Sequence, residues 1–591
     1  MDKRLEELVD STFKLKDMEG PDKVTSLSEA IRRYIKPGMA LHIGIDANAA
    51  ICELIRQYWG TNPGFTYISS MIINHGLNLI HAGLVNKVIT SNSSDIYPTP
   101  SPSRIIQRAY KAKTIEFENW SLYSHLQRLM AAALGLEFLP TRSIIGSSMA
   151  EENKDSFKLL EDPFGSGKRV GIVKALMPDV SIVHVLAADR YGNAIPVPPY
   201  LAETAWGVKA SRHGAILTTE KLVSTDFIRK HSLLVKIPGY MVNAVVITPF
   251  GAHPGGLINR CLPEVEPYAD DDDFISPYRK ATEAPHTLDK WLKEWVLDCP
   301  THDDYLTKLG HQRLMLLKGK AQEDTWQYRL NLLAKDISLE EKYNPAEMMV
   351  IAAARLMLDK ILKNNYKTIL TGVGVSALAA WLASYQLKKR GYDIELVIGS
   401  GAFGHSPRPG NVDLNNYSNI MTCKMISDTL DIYGVMVGGA KNNCLGALGA
   451  GQIDKWGNIN STRVSDDLFL VGAGGGNDVA SGAREIVVAA HQSAKRFVEK
   501  VPYISMPGER VKTLVSTLGV MEKLGDDKEF TLTQYLSTPE PLTPEQRIKK
   551  IKENCGWELK ISSNTHGVPV PTVEELLTLR LLDPKKEFIG P

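Results

Sequence analysis

The sequence is short of cysteine, of net charge and of long apolar runs, and each shortage excludes a class of protein. Six cysteines (Cys52, Cys261, Cys299, Cys423, Cys444, Cys555) among 591 residues form no C-x-x-C pair. Neither a disulfide framework nor a zinc knuckle is spelled out, and a reducing, cytoplasmic setting is expected. Lys plus Arg number 68 against 67 Asp plus Glu, a formal net charge of +1. That balance gives no field for a nucleic-acid backbone or an anionic membrane. The N-terminal stretch carries Asp2, Glu6, Glu7, Asp10, Asp17 and Glu19 among its lysines, where a signal peptide needs an apolar segment and a transit peptide avoids acids. One uncharged run, Thr368 to Leu387, has the length of a membrane span. Thr371, Gly372, Gly374 and Ser376 in its first half parse it instead as a buried strand (Thr368–Thr371), a glycine turn and a helix from Ser376.

What is present points to an α/β protein. Short β-branched runs alternate with helix-period segments: Met39–Ile45 then Ala49–Tyr58, Val180–Leu186, Leu233–Ile237, Ala244–Thr248, Thr368–Thr371 then Ala377–Leu387, and Ile394–Ile398. Apolar runs of this length beside amphipathic helices predict open, mostly parallel sheets covered by helices on both faces. The chain also repeats itself. Asp189-Arg190-Tyr191-Gly192-Asn193 and Asp454-Lys455-Trp456-Gly457-Asn458 share a pattern of acid, base, aromatic, Gly, Asn, and both follow an apolar run. His42-Ile43-Gly44-Ile45 likewise parallels Leu370-Thr371-Gly372-Val373. Two halves are therefore expected, residues 1–320 and 346–591, joined through the charge-rich stretch 321–345 with Pro345 opening a new helix. The acidic run Asp270–Asp273 is expected to be a surface loop.

Three glycine-rich places invite a ligand. Gly165-Ser166-Gly167-Lys168 fails as a P-loop, because the motif needs Gly at position 162 and Ser or Thr at 169, which are Asp and Arg. It reads as a turn. Gly372-x-Gly374-x-x-Ala377 follows a strand and opens a helix, as a dinucleotide fingerprint does, but the next strand has no acid at its far end. Val471-Gly472-Ala473-Gly474-Gly475-Gly476-Asn477-Asp478 reads as a nest of backbone N–H groups before a helix, suited to an anion or to the oxyanion of an attacked thioester. Close strand–helix packing would explain the same glycines.

On these residues the sequence resembles the type I coenzyme A transferases, most closely the glutaconate CoA-transferase group. Ala131–Leu136 with Phe138-Leu139-Pro140, Pro249–Pro254, Glu294-Trp295-Val296, His302–Tyr305 and Lys308-Leu309-Gly310 are similar to the A-type half of that group's enzymes. Gly451–Asp454, Gly457–Thr462 and the Gly472–Asp478 loop resemble the B-type half. The family usually makes these halves as two chains. The resemblance implies two related open α/β domains fused in one chain, with the active site between them. It also implies an acyl-CoA thioester as the substrate, with coenzyme A entering only in that form, and no metal. A homo-oligomer without nucleic-acid or membrane partners is expected.

In that family a strand-end Glu in a Glu-Ser-Gly motif attacks the acyl-CoA carbonyl, passing through an anhydride to a glutamyl-CoA thioester. The matching stretch here is Gly399-Ser400-Gly401, with Ser406-Pro407 following. Without a carboxylate at Gly399, the double displacement has no covalent carrier. Family members lacking this Glu include hydrolytic, C–C-cleaving and decarboxylating enzymes. The chain is accordingly expected to hydrolyse, decarboxylate or cleave an acyl-CoA; CoA transfer and non-catalytic acyl-CoA binding are the alternatives. His405 is a candidate general acid or base and Ser400 a candidate hydrogen-bond donor. Asp46, Asn48, His75, Asn92, Ser93 and Ser94 follow first-half strands and are candidate cleft walls, facing Gly472, Gly474, Gly475, Gly476, Asn477 and Asp478. The acidic residue that some ring-opening hydrolases of the family use in the A-type half aligns with Leu122. His253 is expected to stabilise a turn.

Overall fold

The computed structural model describes residues 1–15, 20–96, 101–198 and 202–590; Asp17 and Glu19 of the N-terminal segment lie outside them. Two large sheets organise the chain. In the first, the strands Val242–Ile247, Ala215–Val223, Val180–Asp189, Ala40–Ile43, Phe65–Ile68, Val85–Thr90 and Glu116–Asn119 lie side by side in that order, all parallel. The central Val180–Asp189 is buried at every residue, which is why a mostly apolar run, not an alternating one, encodes it. In the second sheet Glu395–Ile398, Thr368–Thr371, Cys444–Leu448, Glu485–Ala490 and Val511–Ser516 are parallel neighbours. Antiparallel strands flank them: Ala402–His405 on one side, Gly519–Glu522 and Thr531–Tyr535 on the other.

The uncharged run resolves into the strand Thr368–Thr371 and the helix Val375–Lys389, packed with the helix Pro345–Asn364. The latter starts on a capping box between Asn344 and Glu347, with Pro345 in the first turn. No helix among the described residues is long and apolar enough to cross a membrane.

The repeat reaches atomic detail. Asp189 Oδ1 accepts from the Tyr191 and Asn193 amides at 3.0 and 2.9 Å, and its Oδ2 accepts from Asn193 Nδ2 at 2.8 Å. Asp454 makes the same three bonds with Trp456 and Asn458, at 3.1, 3.0 and 3.0 Å. The glycine of each turn is left-handed, Gly192 at φ 92° and Gly457 at φ 79°. Strand order repeats too. Ala40–Ile43 lies between Phe65–Ile68 and Val180–Asp189 as Thr368–Thr371 lies between Glu395–Ile398 and Cys444–Leu448.

Two expectations need correction. Leu233–Ile237 is not a strand: Ser232–Leu234 is a 3₁₀ turn and Ile237 makes a lone bridge to Ala194, with Pro238 next in the chain unable to donate to a ladder. The acidic run is not a loop. Asp271 caps the helix Asp272–Ala281 and is buried, receiving the Arg313 guanidinium. The charge-rich stretch between the halves holds the helix Thr325–Leu333 and is pinned by Arg580, which donates to the carbonyls of Ser338, Glu340 and Lys342 and to Glu347.

Candidate active site

The strand Glu395–Ile398 ends at Gly399 and turns back at once. The Gly401 amide donates to the Ile398 carbonyl at 3.0 Å, Gly401 sits at φ 126°, and Ala402–His405 returns antiparallel. A Cβ built on Gly399 would lie 1.9 Å from the Tyr433 hydroxyl oxygen, and one on Gly475 would lie 1.8 Å from the same atom. The phenol end of Tyr433 thus fills the notch between Gly399 and the glycine loop. Its ring projects from Asp431–Val437, a turn of i→i+5 type, a rare geometry that recurs at functional sites. Tyr433 is only 6% exposed. Burial, with Asp478 nearby, pushes its phenol well above the ordinary value. The hydroxyl has no hydrogen-bond partner among the described residues, yet it is not one of the sealed polar atoms.

The glycine loop is not the converging nest that its sequence suggests. The Gly472 amide donates to Ser461 O (3.0 Å), Gly474 to Ser91 O (2.9 Å) and Gly476 to Ala473 O (3.1 Å). Only the Ala473 and Gly475 amides of the run Gly472–Gly476 lack a protein acceptor among the described residues. Glycine is nonetheless required at 472, where φ is 104° and a Cβ would meet Ser91 O at 2.4 Å. Asn477 and Asp478 face the other half. Asn477 Oδ1 accepts from the Ile144 amide at 2.8 Å, while Asp478 accepts from Ser143 Oγ at 2.6 Å and the Tyr123 amide at 3.0 Å. Burial pushes the Asp478 carboxyl up to about 6, against the pull of these donors. The pair clamps the two halves together.

On the first-half side, Asn92–Asp95 runs beside the glycine loop, the Ser93 amide donating to Val471 O at 2.8 Å. Ser94 Oγ donates to Asn92 Oδ1 at 2.7 Å, and the buried Ser93 hydroxyl has no partner among the described residues. Asp46 follows its strand to a place near His184, Asp270 and Glu203. Burial pushes it up to about 6, His184 opposes, and Asp270 and Glu203 add to the rise.

Asn48 and His75 prove to be interior residues. Asn48 Nδ2 donates to Ala252 O at 2.7 Å. His75 packs near Tyr278 and Trp291, hydrogen-bonds Asn78 through Nδ1, and is pushed down to about 3 by burial. Both begin helices that pack inward, so following a strand did not place them on a wall. His405 is displaced as well. The tight return pairs it with Leu396, about three residues and so ~10 Å back along the strand from Gly399. There its Nδ1 meets the Leu396 carbonyl at 3.2 Å, and burial pushes it down to about 4. It cannot serve as acid or base at the strand end. Ser400 remains half-buried beside Gly399, its Oγ donating to Asn415 Oδ1 at 2.8 Å. His253 bonds Tyr305 and Asp271 in the interior.

Two features had no sequence signal. One is Tyr433. The other is buried Glu203, which accepts from the Ser70 amide at 2.5 Å and lies 3.4 Å from Nε2 of both His42 and His125. Burial alone would raise this carboxyl, but the two imidazoles carry it well below the ordinary value. It anchors Ser70, whose carbonyl in turn receives the Ser91 and Asn92 amides behind the glycine loop. Among the described residues no cluster of His, Cys, Asp and Glu could hold a metal ion.

Residues 24–248 match the coenzyme A transferase family. Glutaconate CoA-transferase of Acidaminococcus fermentans is made of two kinds of chain, and both are similar to this one. Its A-type chain is 30% identical, over 50% of the present chain and 94% of its own length. Its B-type chain is 25% identical, over 42% of the present chain and 95% of its own length. A cholesterol ring-cleaving hydrolase IpdA subunit of Mycobacterium tuberculosis is 31% identical over 44% of this chain and 88% of its own. An acyl-CoA transferase from E. coli O157:H7, solved as a thioester complex with CoA, superposes over 96% of this chain and 98% of its own with a TM-score of 0.61 at 15% identity. At that identity the likeness is one of fold.

Proposed function

Because the chain belongs to the coenzyme A transferase family and joins A-type and B-type parts in one polypeptide, we propose that it binds an acyl-CoA thioester between its halves and hydrolyses, decarboxylates or C–C-cleaves it instead of transferring CoA. The observation that carries this reading is Gly399 with the Tyr433 hydroxyl in the space a side chain there would need. Transfer through a covalent carrier requires a carboxylate within reach of the thioester carbon. Glu395 on the same strand is engaged at the opposite end with Lys424, at 2.5 Å. Ser400, the Asn92–Ser94 strand, Asp46 and the unpaired Ala473 and Gly475 amides are the proposed substrate contacts. Relatedness to a ring-cleaving hydrolase supports an activity other than transfer.

The test is a panel of dicarboxyl-CoA and cyclic keto-acyl-CoA thioesters, with products followed by chromatography. Release of free CoA, or of a shortened or ring-opened acyl-CoA, without label exchange into acetate is expected. Rapid CoA exchange with free carboxylates would overturn the reading.

A further inference from the structure

We propose that Tyr433 is a catalytic residue whose phenol hydroxyl donates a hydrogen bond to the thioester carbonyl oxygen of the bound acyl-CoA. This deepens the acyl-CoA reading and rests on it. The hydroxyl oxygen touches the space above both Gly399 and Gly475, so it stands between the strand end and the loop where a thioester carbonyl would have to sit. The ring is buried, but the hydroxyl is not one of the sealed polar atoms and has no hydrogen-bond partner among the described residues. That leaves the hydroxyl, at the strand end and beside the glycine loop, free to donate to a substrate oxygen.

Rigidity adds to this. The ring belongs to a core cluster with Leu122, Val397, Ile432 and Val479, and two glycines receive its tip, so the hydroxyl is held in place before substrate arrives. The raised phenol value keeps the proton on oxygen at neutral pH, which a donor requires.

The same bond serves each proposed reaction. In decarboxylation a carboxylate leaves as CO2, and in C–C cleavage water oxygen bonds to a β-keto carbon that departs as a carboxylic acid. In both, the electron pair of the breaking C–C bond passes into the thioester as an enolate, whose oxygen gathers charge against Tyr433 O–H. The enolate carbon then takes a proton from water. In hydrolysis, water oxygen bonds to the carbonyl carbon and the C=O π pair moves onto oxygen. That pair returns as the C–S bond breaks, and the departing CoA thiolate takes the proton that water has lost. In every case the Tyr433 proton remains on Tyr433.

Tyr433→Phe keeps the ring in the notch and removes only the oxygen, so its melting temperature should stay near that of the parent. With the thioester that the panel identifies, kcat should fall by about 10²–10³-fold while KM changes by less than about threefold. A second measurement needs no turnover. With ring-¹³C-tyrosine, the Tyr433 signal is assigned by its absence in Tyr433→Phe. It should shift on adding acetonyl-CoA, which carries a carbonyl, and stay still with S-propyl-CoA, which does not. An unchanged kcat in Tyr433→Phe, or an unmoved signal with acetonyl-CoA bound by calorimetry, would overturn the proposal alone. Absence of any acetonyl-CoA binding would remove the acyl-CoA reading and the proposal together.

Discussion

At Gly399 the backbone has no room for a side chain while Tyr433 keeps its place. Gly399→Glu should therefore lower stability by about 1–3 kcal/mol through overpacking and should not create CoA transfer. Combining it with Tyr433→Ala should recover much of the lost melting temperature, which thermal unfolding would show. Asp478 offers a second residue-scale test. Its folded value near 6 lies above the ordinary 3.8, so between those pH values the folded chain holds a proton that the unfolded chain has released. Stability from this group is thus lost as pH rises toward and past 6. Asn imitates the protonated carboxyl. Relative to the parent, Asp478→Asn should gain about 1–2 kcal/mol between pH 5 and 8, read from chemical unfolding at the two pH values; a constant difference would contradict it. The Gly399-Ser400-Gly401 stretch, on which the proposal of a missing carrier rests, was legible at this scale because a strand-end motif is contiguous in sequence. Tyr433 was not, since an i→i+5 turn delivers it between two glycines that lie far from it along the chain.

Elements whose hydrogen bonds are local were the most readable. The paired Asp-x-x-Gly-Asn turns close on themselves, so the pattern in the sequence is the structure. The glycine loop misled for the opposite reason: Ser91 and Ser461, the acceptors that consume the Gly474 and Gly472 amides, come from elsewhere. His405 was misplaced because Gly399–Gly401 makes a tight return that carries it back beside Leu396. The segment between the halves reads as linker by charge alone, yet buried Arg580 ties three of its carbonyls and Glu347. Breaking such a buried pair by removing one partner costs about 3–5 kcal/mol. Arg580→Met should therefore expose residues 321–345 to limited trypsin or chymotrypsin several-fold faster than in the parent, with cut sites mapped by mass spectrometry. Cleavage at an unchanged rate would show that the segment is held by other contacts.

Across the whole molecule, the two halves share one body. Phe469 of the second half is 1% exposed, with Tyr110 and Phe117 of the first at ring-centroid distances of 5.4 and 5.5 Å. Glu152 receives Tyr503 Oη at 2.6 Å and Arg463 at 2.8 Å. Separately expressed 1–320 and 346–591 should copurify as an equimolar pair, and Phe469→Ala, which empties a buried aromatic site at a cost of about 3–5 kcal/mol, should weaken that pairing measurably in gel filtration. The repeat behind the shared strand order was visible as a sequence pattern. The docking was not, because each half's share of it is a few residues scattered along the chain.

The two sheets share a strand order, and the Tyr433 hydroxyl stands where a side chain on Gly399 would have to be; on the proposed reading no covalent carrier forms. Intact-protein mass spectrometry of the enzyme during turnover of an acyl-CoA, quenched in acid and repeated after borohydride reduction, tests that account most directly. The expected result is the unmodified mass at every time point while substrate is consumed. An acyl or CoA adduct that forms and decays at the rate of turnover would contradict it.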